Sequence, residues 1–143
     1  MHEVVAQVLS QKRLFVVGSG AIGCEILKNL STMLLGADTT AKSKPRGDIV
    51  VTDMDTIEKS NLSRQLLVHD SDVDSFKSFA AKEAIHRFNE NIHVKAHTCK
   101  VRGGVVNSPF QDKFWADDVD IVMNALYNTP ARLYMDQQCV SHQ

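Results

Sequence analysis

The chain has 143 residues, with 16 Lys+Arg against 17 Asp+Glu and a formal net charge of -1; 43% of its residues are hydrophobic and 23% charged. That leaves room for one domain of ordinary globular composition and excludes intrinsic disorder, a collagen or coiled-coil rod, and a nucleic-acid binder held by a basic block. No apolar run approaches the roughly 18 residues of a membrane span, Met1-His2-Glu3 is no signal-peptide start, and Cys24, Cys99 and Cys139 are too few and scattered for a disulfide framework, so a reducing compartment fits.

In chain order, Val4, Val5 and Val8 suggest a short amphipathic helix ending near Lys12-Arg13. Leu14-Phe15-Val16-Val17 is a continuous apolar run, as expected of a parallel strand covered on both faces. Ile22, Ile26, Leu30 and Met33 follow at helical spacing and predict the buried face of a helix that stops at Gly36. Residues 37–47 are polar, with Pro and Gly, and read as an insertion loop in solvent. Ile49-Val50-Val51 is the next strand. Residues 56–74 form a long loop of the kind that carries function. Ser75 is placed to cap a helix burying Ala81, Ala84, Ile85 and Phe88. Ile92, Val94 and Ala96 alternate as a strand, 110–115 is a short helix, and Ile121-Val122-Met123 is another buried strand. Thr129-Pro130 then reads as cap and first position of a last helix. The expected fold is therefore α/β: a Rossmann-like, mostly parallel sheet with helices on both faces, all of 1–143 forming one domain.

Between the first strand and its helix lies Gly18-Ser19-Gly20-Ala21-Ile22-Gly23, a complete G-x-G-x-x-G in the context that motif requires. The first glycine serves the tight turn, the second lets a phosphate approach the backbone, and the third lets helix and sheet pack closely. The helix start at Ala21 offers unpaired N–H groups to an anion. Asp53, at the end of the second strand, is the acidic residue expected to hold ribose hydroxyls, displaced along the sequence by the 37–47 insertion. These two features leave a nicotinamide-dependent oxidoreductase open.

The run from Asp53 to Gln65, Asp-Met-Asp-Thr-Ile-Glu-Lys-Ser-Asn-Leu-Ser-Arg-Gln, resembles the nucleotide-site signature of the ubiquitin-activating enzymes. The resemblance covers about residues 10–143 and includes Val16 to Glu25, Asn124-Ala125-Leu126 and Ala131 to Asp136. It is nearest to the second, ATP-binding adenylation half of that family. It implies ATP and Mg²⁺ as cofactors, with Gly18, Gly20, Ala21 and Gly23 at the nucleotide. Asp53 would bind the ribose, with Asp55 nearby; Asn61, Arg64 and Gln65 would form a loop against the phosphates, and Lys77 would reach them from the following helix. The implied reaction is attack by the terminal carboxylate of ubiquitin on the α-phosphorus of ATP, with loss of pyrophosphate. No protein nucleophile is needed, so positioning and cations must carry catalysis, and Arg64 and Lys77 are the catalytic candidates. Lys77 would fall in the first turn of its helix, where the dipole disfavours a cation by a few tenths to about 1 kcal/mol, a penalty a bound polyphosphate would reverse. Implied partners are ubiquitin or a ubiquitin-like protein, a second adenylation half and, through segments outside these residues, a ubiquitin-conjugating enzyme. No nucleic acid or membrane is expected, and the implied location is the cytoplasm and nucleus.

One position departs from the family. Where its members carry an Asp that binds Mg²⁺, this sequence has Tyr127. A neutral phenol is a poor ligand for a hard cation, so no metal ligand is expected from that position, and the alternative ligand the sequence offers is Asp55. The alternative reading is a catalytically silent scaffold that kept the adenylation fold. The three cysteines do not match the family's thioester-forming residue. The chain is therefore expected to be an incomplete adenylation domain with an apolar surface left exposed. His93 and His97 lack partners for a metal site, Lys42, Lys44 and Arg46 read as a solvated cluster, and Asp117, Asp118 and Asp120 read as solvent-facing.

Overall fold

A computed structural model describes Val4, Val8 and residues 11–33, 48–103 and 108–142. Four strands, β1 (Leu14–Val17), β2 (Ile49–Thr52), β3 (Val94–His97) and β4 (Ile121–Asn124), form one sheet in the order β3-β2-β1-β4, every pairing parallel. Around it lie α1 (Ala21–Thr32), α2 (Lys77–Phe88), α3 (Asp112–Asp117) and α4 (Thr129–Ser141). This is the Rossmann-like arrangement expected from the alternation of apolar runs and helical periods. Leu14 faces Ile49 and Ile121, and Val17 faces Thr52 and Asn124, so the strands end together at one edge.

The pleat divides β1 between two cores. Leu14 and Val16 join Ile49 and Val51 in an aliphatic layer closed by Cys24, Leu27 and Leu30 of α1 and Ala81, Ala84 and Ile85 of α2. Phe15 and Val17 point the other way, into Phe110, Trp115, Val101 and Met135. On that second face Phe15 is an aromatic hub, its ring centroid 4.8 Å from Phe110, 5.0 Å from Phe114 and 5.6 Å from Trp115.

Several expectations change in detail. The buried stripe of α1 is Gly23, Cys24, Leu27, Leu30 and Ser31, whereas Ile22 and Met33 are exposed and Ile26 is half-buried. Both stripes have helical period; the small residues win because they let α1 approach the sheet closely. Phe88 is likewise exposed at the end of α2. Ser75 does not cap α2. It sits in a short paired stretch, its carbonyl accepting from Ile57 N–H at 2.9 Å beside a Thr56–Phe76 bridge, and Phe76 takes the cap position. The cap of α4 is Asn128 rather than Thr129, its side chain accepting from Ala131 N–H at 3.2 Å. β4 is half-buried rather than buried, because among the described residues it is an edge strand.

Asp118 and Asp120 are not simply solvated: the Arg13 guanidinium reaches Asp118 at 3.3 Å, and Arg13 N–H donates to Asp120 at 2.8 Å, pinning the start of β1 to the turn before β4. Val4 and Val8 are helical; the rest of the opening helix, Gly36, the 37–47 insertion and its basic cluster lie outside the described residues. Among the described residues no helix is long and apolar enough to cross a membrane, and no three His, Cys, Asp or Glu side chains are grouped to hold a metal ion.

Candidate functional site

In an open parallel sheet, the crevice outside the carboxyl ends of the strands is deepest where successive connections leave in opposite directions. Here that point lies between β1 and β4, since β2 and β3 extend the sheet one way and β4 the other. A crevice occurs there, lined by Val17, Gly18 and Gly20 on one side, Asp53, Asp55 and Lys77 beside them, and Ala125 to Asn128 opposite.

The three glycines differ in what holds them. Gly18 has φ +95°, a left-handed conformation, and a Cβ there would lie 3.0 Å from Ala125 O. A Cβ on Gly23 would lie 2.0 Å from Gly18 O, so only glycine lets α1 start this close to the turn. Gly20 has nothing within 4 Å of the position a Cβ would take. Its openness is toward the crevice and has no internal packing reason. α1 starts immediately after it with no side chain capping its N-terminus, which leaves the positive end of the helix facing the same space.

The loop is held from below. Asp53 Oδ2 accepts from Ser19 N–H at 2.7 Å and from Ser19 Oγ at 3.2 Å, while Oδ1 accepts from Asp55 N–H at 3.0 Å. Cys24 is fully buried and its thiol donates to Ser19 O at 3.3 Å. Burial pushes that thiol up to about 11, so it is a packing and hydrogen-bonding group and not a nucleophile. Lys77 is the first residue of α2, its side chain 13% exposed, with Nζ 3.2 Å from Asp55 Oδ2. The dipole penalty expected for a cation at this position is thus met within the chain by Asp55.

The predicted site residues therefore divide. Gly18, Gly20, Asp53, Asp55 and Lys77 line the crevice, with Ala21 and Gly23 in the turn that shapes it. Asn61, Arg64 and Gln65 do not line it. Their loop folds on a small core of Ile57, Val68 and Ala80. Asn61 Oδ1 accepts from Glu58 N–H at 2.9 Å, and Arg64 Nη1 donates to Ser60 O at 2.6 Å, so both serve their own turn. Gln65 is buried, and its Oε1 has no hydrogen-bond partner among the described residues. The expected meeting of Arg64 and Lys77 at Gly20 is therefore half present: the lysine is there and the arginine is not. Tyr127 lies in the crevice wall, 91% exposed. Lys100 was not anticipated. It follows β3 at the carboxyl edge and lines the crevice with Cys99, a position that the strand-end rule alone would have flagged.

A parallel sheet wound in both directions, with a glycine turn at its switch point, defines a Rossmann-like α/β domain. The ThiF family model matches residues 1–143, and the chain belongs to the ThiF family. It is 49% identical over 126 residues to Ubiquitin-like modifier-activating enzyme 1 of Dictyostelium discoideum, covering 88% of this chain and 12% of that protein. It is 45% identical over 132 residues to the Homo sapiens protein of the same name, covering 92% and 12%. The chain thus spans about one eighth of the length of these relatives. Among solved structures, TcdA (CsdL) superposes with a TM-score of 0.76 at 19% identity, over 96% of this chain and 48% of that one, a likeness of fold. Escherichia coli MccB, solved with ATP, matches with a TM-score of 0.58 at 28% identity over 68% of this chain and 26% of that one.

Proposed function

We propose that the crevice binds ATP and that the chain is part of the adenylation unit of a ubiquitin-activating enzyme, where the C-terminal carboxylate of ubiquitin, or of a ubiquitin-like protein, is activated. The observation that carries this reading is the convergence of the bare α1 N-terminus, the open Gly20 position and the Lys77 cation on one crevice. The relatives named above support the choice of enzyme.

In this reading the loop N–H groups and Lys77 hold the phosphates. Asp53 positions the loop through Ser19 and faces the ribose with its remaining lone pairs. A carboxylate oxygen of ubiquitin attacks the α-phosphorus and pyrophosphate leaves. The chain's part is to fix that geometry and to place positive charge at the leaving oxygens. Arg64 joins Lys77 by exchanging Ser60 O for phosphate, a rotation of an exposed side chain, while Asn61 and Gln65 brace the loop behind it. Thioester formation, the second adenylation half and the conjugating enzyme belong to the longer protein, working in the cytoplasm and nucleus.

The test is ATP–pyrophosphate exchange in the longest native form of the protein. Exchange dependent on ubiquitin and lowered about tenfold or more by Lys77→Ala is expected, the loss of a charge-assisted contact to phosphate. A second reading, favoured by Tyr127, is a nucleotide-shaped scaffold without catalysis. Nucleotide binding with no exchange, and exchange appearing in Tyr127→Asp, would select it.

A further inference from the structure

The donor set of the crevice does not suit a divalent cation. Its two carboxylates, Asp53 and Asp55, both come from the end of β2, and each already accepts from a group of the chain. Asp53 accepts from Ser19 N–H and Oγ and from Asp55 N–H; Asp55 faces Lys77 Nζ at 3.2 Å. The opposite wall, Ala125, Leu126, Tyr127, Asn128 and Ala131, carries no carboxylate, and its longest polar arm is a phenol. A metal bridging two phosphates from within the crevice would have to share Asp55 with Lys77, a lysine whose side chain is only 13% exposed and whose counter-ion is that carboxylate. Positive charge is already supplied: Lys77 on one side, Lys100 on the other, and the N-terminus of α1 between strand and ligand. Lys100 is exposed and makes no ion pair among the described residues.

We infer that this crevice, read as the nucleotide site proposed above, takes the metal-free nucleotide anion, with Lys77 and Lys100 standing where a divalent cation would otherwise neutralise the phosphates. The inference rests on the nucleotide reading and concerns the form of nucleotide that is bound. On entry the phosphates compete with Asp55 for Lys77 Nζ, so the carboxylate that holds the lysine in place also limits affinity.

The experiment is calorimetric titration of the full native protein with ATP, in excess chelator and again in saturating Mg²⁺. The expected dissociation constants agree within about threefold, or are weaker with Mg²⁺, which lowers the charge offered to the lysines. Lys100→Ala is expected to weaken chelated ATP by about tenfold and Asp55→Asn to tighten it by a few-fold. Tyr127→Asp, which adds a carboxylate to the opposite wall, is expected to make binding tighter in Mg²⁺ than in chelator by about fivefold or more. Tightening of wild type by Mg²⁺ of about tenfold or more overturns the inference and leaves the nucleotide site standing. Absence of binding in both conditions overturns the nucleotide reading and this inference together.

Discussion

The two faces of the sheet are built differently. On one, α1 and α2 lie along β1 to β3 and bury an aliphatic layer from Leu14 to Val94, with Leu14, Val16, Ile49 and Val51 nearly inaccessible. On the other, coverage depends on a six-residue helix, an aromatic hub at Phe15 and, from all thirteen residues of α4, the single fully buried side chain of Met135. The crevice straddles this division. Its glycine turn and Asp53, Asp55 and Lys77 belong to the densely packed side, whereas Ala125 to Asn128 rest on the sparsely packed one. The groups proposed to hold an anion are thus anchored where displacement is costly. Tyr127, 91% exposed, lies in the wall on the sparsely packed side.

This contrast can be broken by substitution. Leu27→Ala, in the centre of the aliphatic layer, should lower the unfolding free energy by about 3 kcal/mol in chemical denaturation, because a fully buried leucine leaves a cavity. Gly23→Ala should cost about 2–3 kcal/mol, since its Cβ would collide with Gly18 O. By contrast, Gly20→Ala should leave stability within about 0.5 kcal/mol while reducing nucleotide affinity, because its Cβ enters only open space. A large loss of stability in Gly20→Ala would show that the open position is structural.

At the joint between β1 and β4, Asp120→Asn should cost about 1 kcal/mol, with the surface part of the pairing discounted for solvent. Burial by itself would raise this carboxyl, but the Arg13 N–H and the charges of Lys12 and Arg13 outweigh it and hold it below the ordinary aspartate range. Its contribution is therefore complete above the unfolded value and lost as pH falls through the folded one. A wild-type stability curve that declines on acidification no more steeply than that of Asp120→Asn would refute the clamp. Leu133→Ala on the exposed side of α4 should change stability by no more than about 0.5 kcal/mol in the same denaturation assay. A larger loss would mean that α4 is packed more firmly than Met135 alone implies.

Three strands were legible because runs of three or four consecutive apolar residues admit few other readings, the fourth through alternation at Val94 and Ala96, and the glycine turn because its neighbours were a strand and a helix. The buried face of α1 was not, since Gly23, Cys24 and Ser31 are too small or too polar to stand out in a hydrophobic period, yet close approach selects them. The 56–74 loop shows the same limit. Asn61 and Arg64 spend their polar groups on neighbours three and four residues back, Glu58 and Ser60, a local turn that the resemblance to a phosphate loop overshadowed. Asp55 and Lys77 were each visible in the sequence, but not that they neutralise one another.

Since Val17, Thr52, His97 and Asn124 stop on one line, each connection departs from a common rim, and neighbours are tied together just beyond it, as Ser19 after β1 is to Asp53 after β2. A residue exchanged or a turn lengthened on one of them alters what the rim holds without sliding a strand. The sheet edge thus supplies a fixed frame, and the connections supply what lines the crevice, a phenol from one segment and two ammonium groups from others.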